Sequence, residues 1–198
     1  HFLFNTLENI RFMIRIDPKA ADKAMVALSS LLRYSIQSGG MMIPLCEDLN
    51  YIRSYMRILE MRFGDRLSYR IDVPAELEDF PVPKLIVQPI IENAAVYGMK
   101  RSDHLFISLS ACLDGSSVVL RVTDNGPGIE PEMLRQLKAC LTDVHAERGD
   151  HFGIMNVHER IRLIYGDQYG ISIESQVGKG TTVLLHFPRD GARKGDLL

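Results

Sequence analysis

Lys84-Leu85-Ile86-Val87-Gln88-Pro89-Ile90-Ile91-Glu92-Asn93-Ala94-Ala95-Val96-Tyr97 is the stretch that decides what must surround it. Leu85, Ile86, Val87, Ile90, Ile91, Ala94 and Ala95 leave almost no polar face on a helical wheel, and a helix apolar nearly all round is a buried helix. A helix is therefore expected from about Lys84 to Tyr97, entered through Pro81 and Pro83. Yet Glu92 and Asn93 stand in its middle. Burying a carboxylate without a partner is costly. Either a cation neutralises Glu92, or the pair lines a cavity, or both belong to a structural hydrogen-bond network. A carboxylate and an amide carbonyl are hard oxygen ligands of the kind that hold Mg2+ while the ion also bridges substrate phosphates. Asn93 and Tyr97, at i and i+4, share one face.

Downstream, two strands (about Leu105–Cys112 and Val118–Thr123) meet at Asp114-Gly115, a hairpin signal. Asp124-Asn125-Gly126-Pro127-Gly128 follows directly. An Asp at a strand end can accept from an exocyclic amine such as that of adenine, and glycines let a backbone approach a flat base; Asn-Gly-Pro-Gly is also an ordinary turn. Cys140 to His151 is polar and irregular. Gly153 precedes a helix expected from about Ile154 to Tyr165, and a helix N-terminus with free N–H groups favours phosphate. A last hairpin pairs Gly170–Ser175 with Thr181–Phe187 across Gly178-Lys179-Gly180, which puts Thr181 within reach of a base edge. The G-x-x-x-x-G-K spacing of a Walker loop is missing, as is the third glycine of a dinucleotide fingerprint.

Upstream, the chain reads helical. Leu3, Leu7, Ile10 and Ile14 are spaced 4-3-4, the seam of a helix that packs on others. His1, Asn5 and Glu8 fall on the opposite side, because each residue advances about 100°. A neutral imidazole on an exposed stripe is a competent nucleophile near pH 7, although such a stripe is more often merely solvated. Asp17-Pro18 supplies an N-cap and an N1 proline for a helix with Ala24, Leu28, Leu31 and Leu32 on one face, ended by Gly39-Gly40. A third helix runs from about Leu45 to Phe63. A strand, Ser68 to Val73, opens the mixed part. Two long amphipathic helices cannot bury their seams alone, and a dimeric four-helix bundle would do so. The expected organisation is α+β: helical residues 1–66, a mixed helix and antiparallel-strand layer over 67–188, and a frayed tail at 189–198.

The 198 residues are 46% apolar with a net charge of -2, which fits a packed core and gives no sign of the basic face a nucleic-acid binder needs. Cys46, Cys112 and Cys140 form no C-x-x-C pair. They give neither a zinc site nor a disulfide framework, and fit a reducing, cytosolic setting. No apolar run approaches the roughly 18 residues of a membrane span. The opening His-Phe-Leu-Phe-Asn, without Met, reads as part of something longer, so any membrane attachment is expected only through upstream segments.

Four ordered elements together are far more specific than any one. Ile91-Glu92-Asn93-Ala94 resembles an N box, Asp124-Asn125-Gly126-Pro127-Gly128 a G1 box, Gly153-Ile154-Met155-Asn156 a G2 box, and Gly178-Lys179-Gly180-Thr181-Thr182 the closing glycine turn. Their order is similar to that of the Bergerat-type α/β-sandwich ATPase fold shared by histidine kinases, gyrase and mismatch-repair ATPases. His1-Phe2-Leu3-Phe4-Asn5-Thr6-Leu7 resembles the phosphoacceptor segment of LytS/YesM-type sensor kinases. Leu45-Cys46-Glu47-Asp48-Leu49, Met61-Arg62-Phe63-Gly64-Asp65-Arg66 and Val157-His158-Glu159-Arg160-Ile161 are similar to that family too.

The resemblance implies a protein histidine kinase with ATP and Mg2+ as cofactors. His1 is then the phosphoacceptor, Asn93 holds the metal, Glu92 assists as a base or by positioning, and Glu8 is the other candidate base. Asp124 takes the adenine amine, Gly126, Gly128, Gly153 and Ile154 shape the pocket with Tyr97, and Thr181 lies near the base. Residues between Ile129 and Phe152 form a lid over nucleotide. Tyr97 stands where the family usually has His or another polar residue, and His151 stands in place of the first glycine often seen before Gly153. The implied partners are a second copy, through the N-terminal helices, and a response-regulator receiver domain. The implied location is the cytoplasmic side of a bacterial inner- or plasma-membrane sensor. Two other classes use such a pocket: an ATP hydrolase of the gyrase or mismatch-repair kind, and a non-catalytic dimer scaffold.

Overall fold

The computed structural model describes residues 2–36, 41–100, 102–142 and 152–191. Helix α1 spans Phe2–Met13 and α2 spans Pro18–Ile36. Between them Asp17 caps α2: its Oδ1 accepts the Ala20 amide at 3.0 Å, satisfying one of the four free N–H groups of a helix start. Ala21, Ala24, Leu28 and Leu31 of α2 are buried, but Leu32, expected on the same face, is exposed. In α1 only part of the expected seam packs: Ile10 is 2% exposed, Leu7 48% and Ile14 55%. The expected stop at Gly39-Gly40 lies outside the described residues.

Strand β1 (Met42–Pro44) leads straight into α3 (Leu45–Phe63), whose range matches the expectation. Leu45, Leu49, Ile52, Met56 and Leu59 repeat at 4-3-4-3 and are all buried, which seats α3 against α2. The free amides at its start are met by backbone: Leu45 N–H donates to Phe80 O at 2.9 Å and Cys46 N–H to Glu78 O at 2.8 Å. Strand β2 (Leu67–Asp72) follows. Pro81–Pro83, read from sequence as a mere lead-in, is strand β3, antiparallel to β1.

Helix α4 runs over Gln88–Gly98, not from Lys84. The reason is Pro89. Its ring clashes with the carbonyl four residues back and it has no N–H to donate, so the helix cannot extend through it to Leu85. Residues 84–87 form a turn instead, with Leu85 at φ 60°, a left-handed conformation that costs a β-carbon residue about 1–3 kcal/mol unless its surroundings impose it.

Strands β4 (Leu105–Asp114) and β5 (Ser117–Asp124) form the expected hairpin across Gly115-Ser116. Helix α5 (Pro131–Thr142) was not anticipated. Leu137 and Leu141 bury one face of it, so the first half of the expected lid is a packed helix, and the remainder, 143–151, lies outside the described residues. Helix α6 (Phe152–Tyr165) starts two residues early, which places Gly153 inside its first turn. Strands β6 (Gly170–Gln176) and β7 (Gly180–Pro188) complete a five-stranded sheet ordered β2-β4-β5-β7-β6. β2 pairs parallel to β4, and the other pairs are antiparallel. Leu105, Ile107, Leu109, Leu120, Val122, Val183 and Leu185 line its buried face; α4 lies over β4 and β5, and α6 over β6 and β7. The architecture is the expected α+β one. A single apolar core runs from Ile10 in α1 to Phe187 in β7. Of the expected tail, Arg189 still pairs, its amide donating to Ser116 O at 2.9 Å, and residues from 192 on lie outside the described ones.

Candidate functional site

A cavity of about 430 Å3 opens where the C-terminal end of β5 meets α4, α5, α6 and β7, a size suited to a small organic ligand. Its walls are largely apolar, supplied by Ile90, Val122, Leu137, Ile154 and Val183. Six of the residues singled out from sequence line it: Asn93 and Tyr97 from α4, Asp124 and Gly128 from the segment ending β5, Ile154 from α6 and Thr181 from β7. These positions are spread over some ninety residues of chain, and the sheet brings them together.

One end of the cavity is built around Asp124. The Gly126 amide donates to Asp124 Oδ1 at 2.8 Å. Burial pushes this carboxyl above the ordinary aspartate range, and amides from Gly126 and Thr181 partly offset that. A half-buried carboxylate with unused acceptor capacity suits a neutral donor such as an exocyclic amine. Two glycines make the approach possible. At Gly180 (φ 105°) a β-carbon would run into the Asp124 carbonyl, and at Gly128 (φ 72°) into the Gln176 carbonyl. Ser175, which sequence reasoning missed, ties this end together. Its hydroxyl accepts from the Ile129 amide at 2.9 Å, lies 2.9 Å from Thr181 Oγ1 and donates to Gly180 O at 2.9 Å.

The other end lies between α4 and α6. A β-carbon built on Gly153 would sit 3.7 Å from Asn93 Nδ2, so the Asn93 carboxamide stands beside the N-terminus of α6, where unpaired N–H groups favour anions. Asn93 offers a hard oxygen at that place. Among the described residues no group of three or more His, Cys, Asp or Glu side chains gathers as a metal site; an ion carried in by phosphates needs only one or two protein oxygens, and the Asn93 position fits that case.

Glu92 is not a lining residue. It accepts from Gln88 Nε2 at 2.6 Å, and its charge is felt by the Tyr55 hydroxyl of α3, so it faces the helical part of the chain. Glu8 on α1 is exposed and paired with Arg11 at 2.9 Å. His1 and His151 lie outside the described residues. Tyr97 is 49% exposed at the cavity mouth, with Lys100 Nζ 5.4 Å from its ring centroid. Lys100, Glu130 and Met133 also reach the cavity and carried no signal in the sequence, because nothing local marks a surface residue that turns inward.

A second missed group lies behind the site. Asp48, in the first turn of α3, is fully buried. Its carboxylate accepts from Leu85 N–H at 2.7 Å, Val87 N–H at 3.2 Å and the Tyr34 hydroxyl at 3.4 Å. Burial pushes its pKa up; the two amides, the hydroxyl and the charge of Arg160 pull against that. Arg160 of α6 donates to Lys84 O at 2.6 Å. Asp48 reads from sequence as an acid at a helix N-terminus, and only the fold shows what it holds.

A mixed five-stranded sheet, with helices on one face and a glycine-lined cavity beside its central strands, defines an α/β-sandwich ATPase. The family described as histidine kinase-, DNA gyrase B- and HSP90-like ATPase matches residues 79–191, and the histidine kinase family matches residues 1–67. The chain belongs to the histidine kinases, and its second part is their ATP-binding domain. A sensor-like histidine kinase of Staphylococcus epidermidis is 32% identical over 190 residues, and the sensor protein kinase HptS of Staphylococcus aureus 32% over 189. Each comparison covers 95% of this chain and 36% of the relative, so the chain spans about a third of their length. The histidine kinase domain of a blue-light activated kinase from Erythrobacter litoralis shares the fold (TM-score 0.55, 15% identity, 87% of this chain and 76% of that one). So does the catalytic domain of histidine kinase ThkA (TM-score 0.55, 15% identity, 75% and 95%).

Proposed function

We propose that this chain is the kinase part of a LytS/YesM-type sensor histidine kinase: it binds ATP with Mg2+, phosphorylates His1, and passes the phosphoryl group to an aspartate of a response-regulator receiver domain. The observation that carries the reading is the convergence of Asn93, Asp124, Ile154 and Thr181 on one cavity, in a chain whose residues 1–67 match the histidine kinase family.

Each residue then has a task. Asp124 accepts the adenine amine on the oxygen not engaged by Gly126, and the apolar walls cover the base. Asn93 would hold Mg2+, which would supply charge neutralisation to the phosphates. The N–H groups at the start of α6 receive the phosphates. A lone pair of the neutral His1 imidazole attacks the γ-phosphorus; the new N–P bond forms as the bond to the β–γ bridging oxygen breaks, and ADP leaves with that electron pair. A carboxylate holding the proton on the other ring nitrogen keeps the attacking one free. Glu92 suits this role, because it leaves the cavity wall toward the helical half. Positioning and charge neutralisation supply most of the acceleration in such transfers.

The N-terminal helices support a homodimer. Phe4, Leu7, Ile14, Val26 and Ile36 are large apolar side chains left exposed on or beside α1 and α2, as in a bundle whose other half comes from a second copy. No described helix is long and apolar enough to cross a membrane; placement on the cytoplasmic side of a bacterial membrane sensor would come through segments upstream of His1.

Incubation with Mg2+ and γ-labelled ATP tests the proposal, using a chain extended upstream of His1. The expected product is a base-stable, acid-labile label that disappears in His1→Gln. Free phosphate without protein-bound label would instead support the hydrolase reading.

A further inference from the structure

The two helices that present Asn93 and the α6 N-terminus are not fixed to each other by the sheet alone. Val87 N–H is held by Asp48 at 3.2 Å, and Val87 O in turn accepts from Ile90 N–H at 3.1 Å and Ile91 N–H at 3.2 Å. The residue that caps α4 is thus clamped from behind by a carboxylate of α3, and Glu92 and Asn93 follow within two turns. Leu85 N–H, at 2.7 Å from the same carboxylate, is kept in its left-handed conformation. Lys84 O, in the same turn, takes the Arg160 guanidinium of α6. Tyr34 of α2 donates to the carboxylate from the helical side, and Lys84 Nζ lies 4.6 Å from its ring centroid. Three segments of chain therefore meet on one buried carboxylate, α2, α3 and the turn before α4, and α6 joins them through Arg160 on Lys84 O.

We propose that Asp48 is a positioning residue for the kinase reaction: it sets the start of α4 against the helical hairpin and, through the turn that Arg160 grips, against α6, and so fixes where Asn93 and Glu92 stand. The inference rests on the proposed kinase reading for its effect on nucleotide, but not for its effect on α4. A buried carboxylate is suited to this because it accepts from several N–H donors at once and has none to offer. Asn in its place keeps the shape and turns an NH2 toward an amide.

The test compares Asp48→Asn with Leu59→Ala, a core change three turns further along α3, in the full chain at a temperature where both are folded. Two readouts are taken: amide hydrogen exchange, and Mg·ATP affinity by calorimetry. Asp48→Asn is expected to lower protection of the Leu85, Val87, Ile90 and Ile91 amides about tenfold or more relative to β4, and to weaken Mg·ATP binding about tenfold, as loss of a buried acceptor implies. Leu59→Ala is expected to lower protection evenly and to leave affinity within about twofold. Equal effects of the two variants on both readouts overturn the proposal. If Asp48→Asn does not fold, Tyr34→Phe replaces it: a selective loss of protection at Leu85 and Val87 supports the role, and unchanged protection there contradicts it. A wild-type chain that binds no Mg·ATP refutes the kinase reading, while the exchange pattern still decides whether Asp48 sets α4.

Discussion

The helical half and the sandwich half solve the same problem differently. In the sandwich, every strand of the sheet turns one apolar face inward, and the cavity is walled by that core. In the helical half, α3 buries a full stripe while α1 buries Ile10 and leaves Leu7 and Ile14 exposed. A layer that closes on itself needs no partner; a helix pair that leaves a seam open does. On the proposed reading the sandwich carries the nucleotide and the helical half the nucleophile, so the chemistry requires two parts of unequal self-sufficiency to meet. Asp48, buried where they join, is a contact both share.

That contrast can be broken from the sandwich side first. Asn93→Ala removes the proposed Mg2+ ligand and is expected to cut label transfer about 100- to 1000-fold, the usual loss for one preorganised electrostatic group, with little change in thermal midpoint. Gly180→Ala should act the other way, through the fold. The added carbon meets the Asp124 carbonyl at a positive φ, and a destabilisation of about 3 kcal/mol or more is expected in denaturant unfolding.

Asp124→Asn should weaken nucleotide binding about 10- to 100-fold, because a charged acceptor becomes neutral. The same residue predicts a pH dependence. Its pKa in the free protein lies above the ordinary aspartate value, and the ionised carboxylate is the stronger acceptor for the amine. Affinity is therefore full above that raised pKa and falls as pH drops through it, earlier on acidification than for an exposed aspartate. Calorimetry across the acid range should show this slope in wild type and lose most of it in Asp124→Asn.

From the helical side the effects are smaller and of another kind. Leu7→Ser with Ile14→Ser should shift the chain toward monomer in sedimentation while Mg·ATP affinity stays within about twofold, since neither residue touches the sandwich. Asp17→Ala, which loses the cap on Ala20, should cost about 1 kcal/mol in thermal unfolding and change nothing at the cavity.

Legibility in the sequence followed the same division. The expected third helix, about Leu45 to Phe63, coincides with α3, which Pro44 precedes and Gly64 follows. The hairpins were legible from Gly115 and Gly178. The start of α4 was misread because its apolar composition was weighed above Pro89, whose missing N–H decides the matter. Helix α5 escaped notice because Gly/Pro punctuation before it and polar residues after it suggested one continuous loop, although Leu134, Leu137 and Leu141 keep helical spacing. In the candidate site, residues to which a motif assigns a task were legible, whereas Ser175 and Lys100 were not, and Asp48, although inside a quoted motif, was assigned none. Each acts through a contact with a residue distant in sequence or through a cavity, and no local pattern encodes that.

The central claim is that one cavity holds adenine at Asp124 and phosphate at the α6 N-terminus, with Asn93 between metal and protein. A crystal structure with Mg2+ and a non-hydrolysable ATP analogue tests this most directly. The adenine amine is expected against the Asp124 carboxylate and the phosphates beside Asn93 and Gly153, with the terminal one directed toward the helical half. A nucleotide bound the other way round, or outside this cavity, would contradict it.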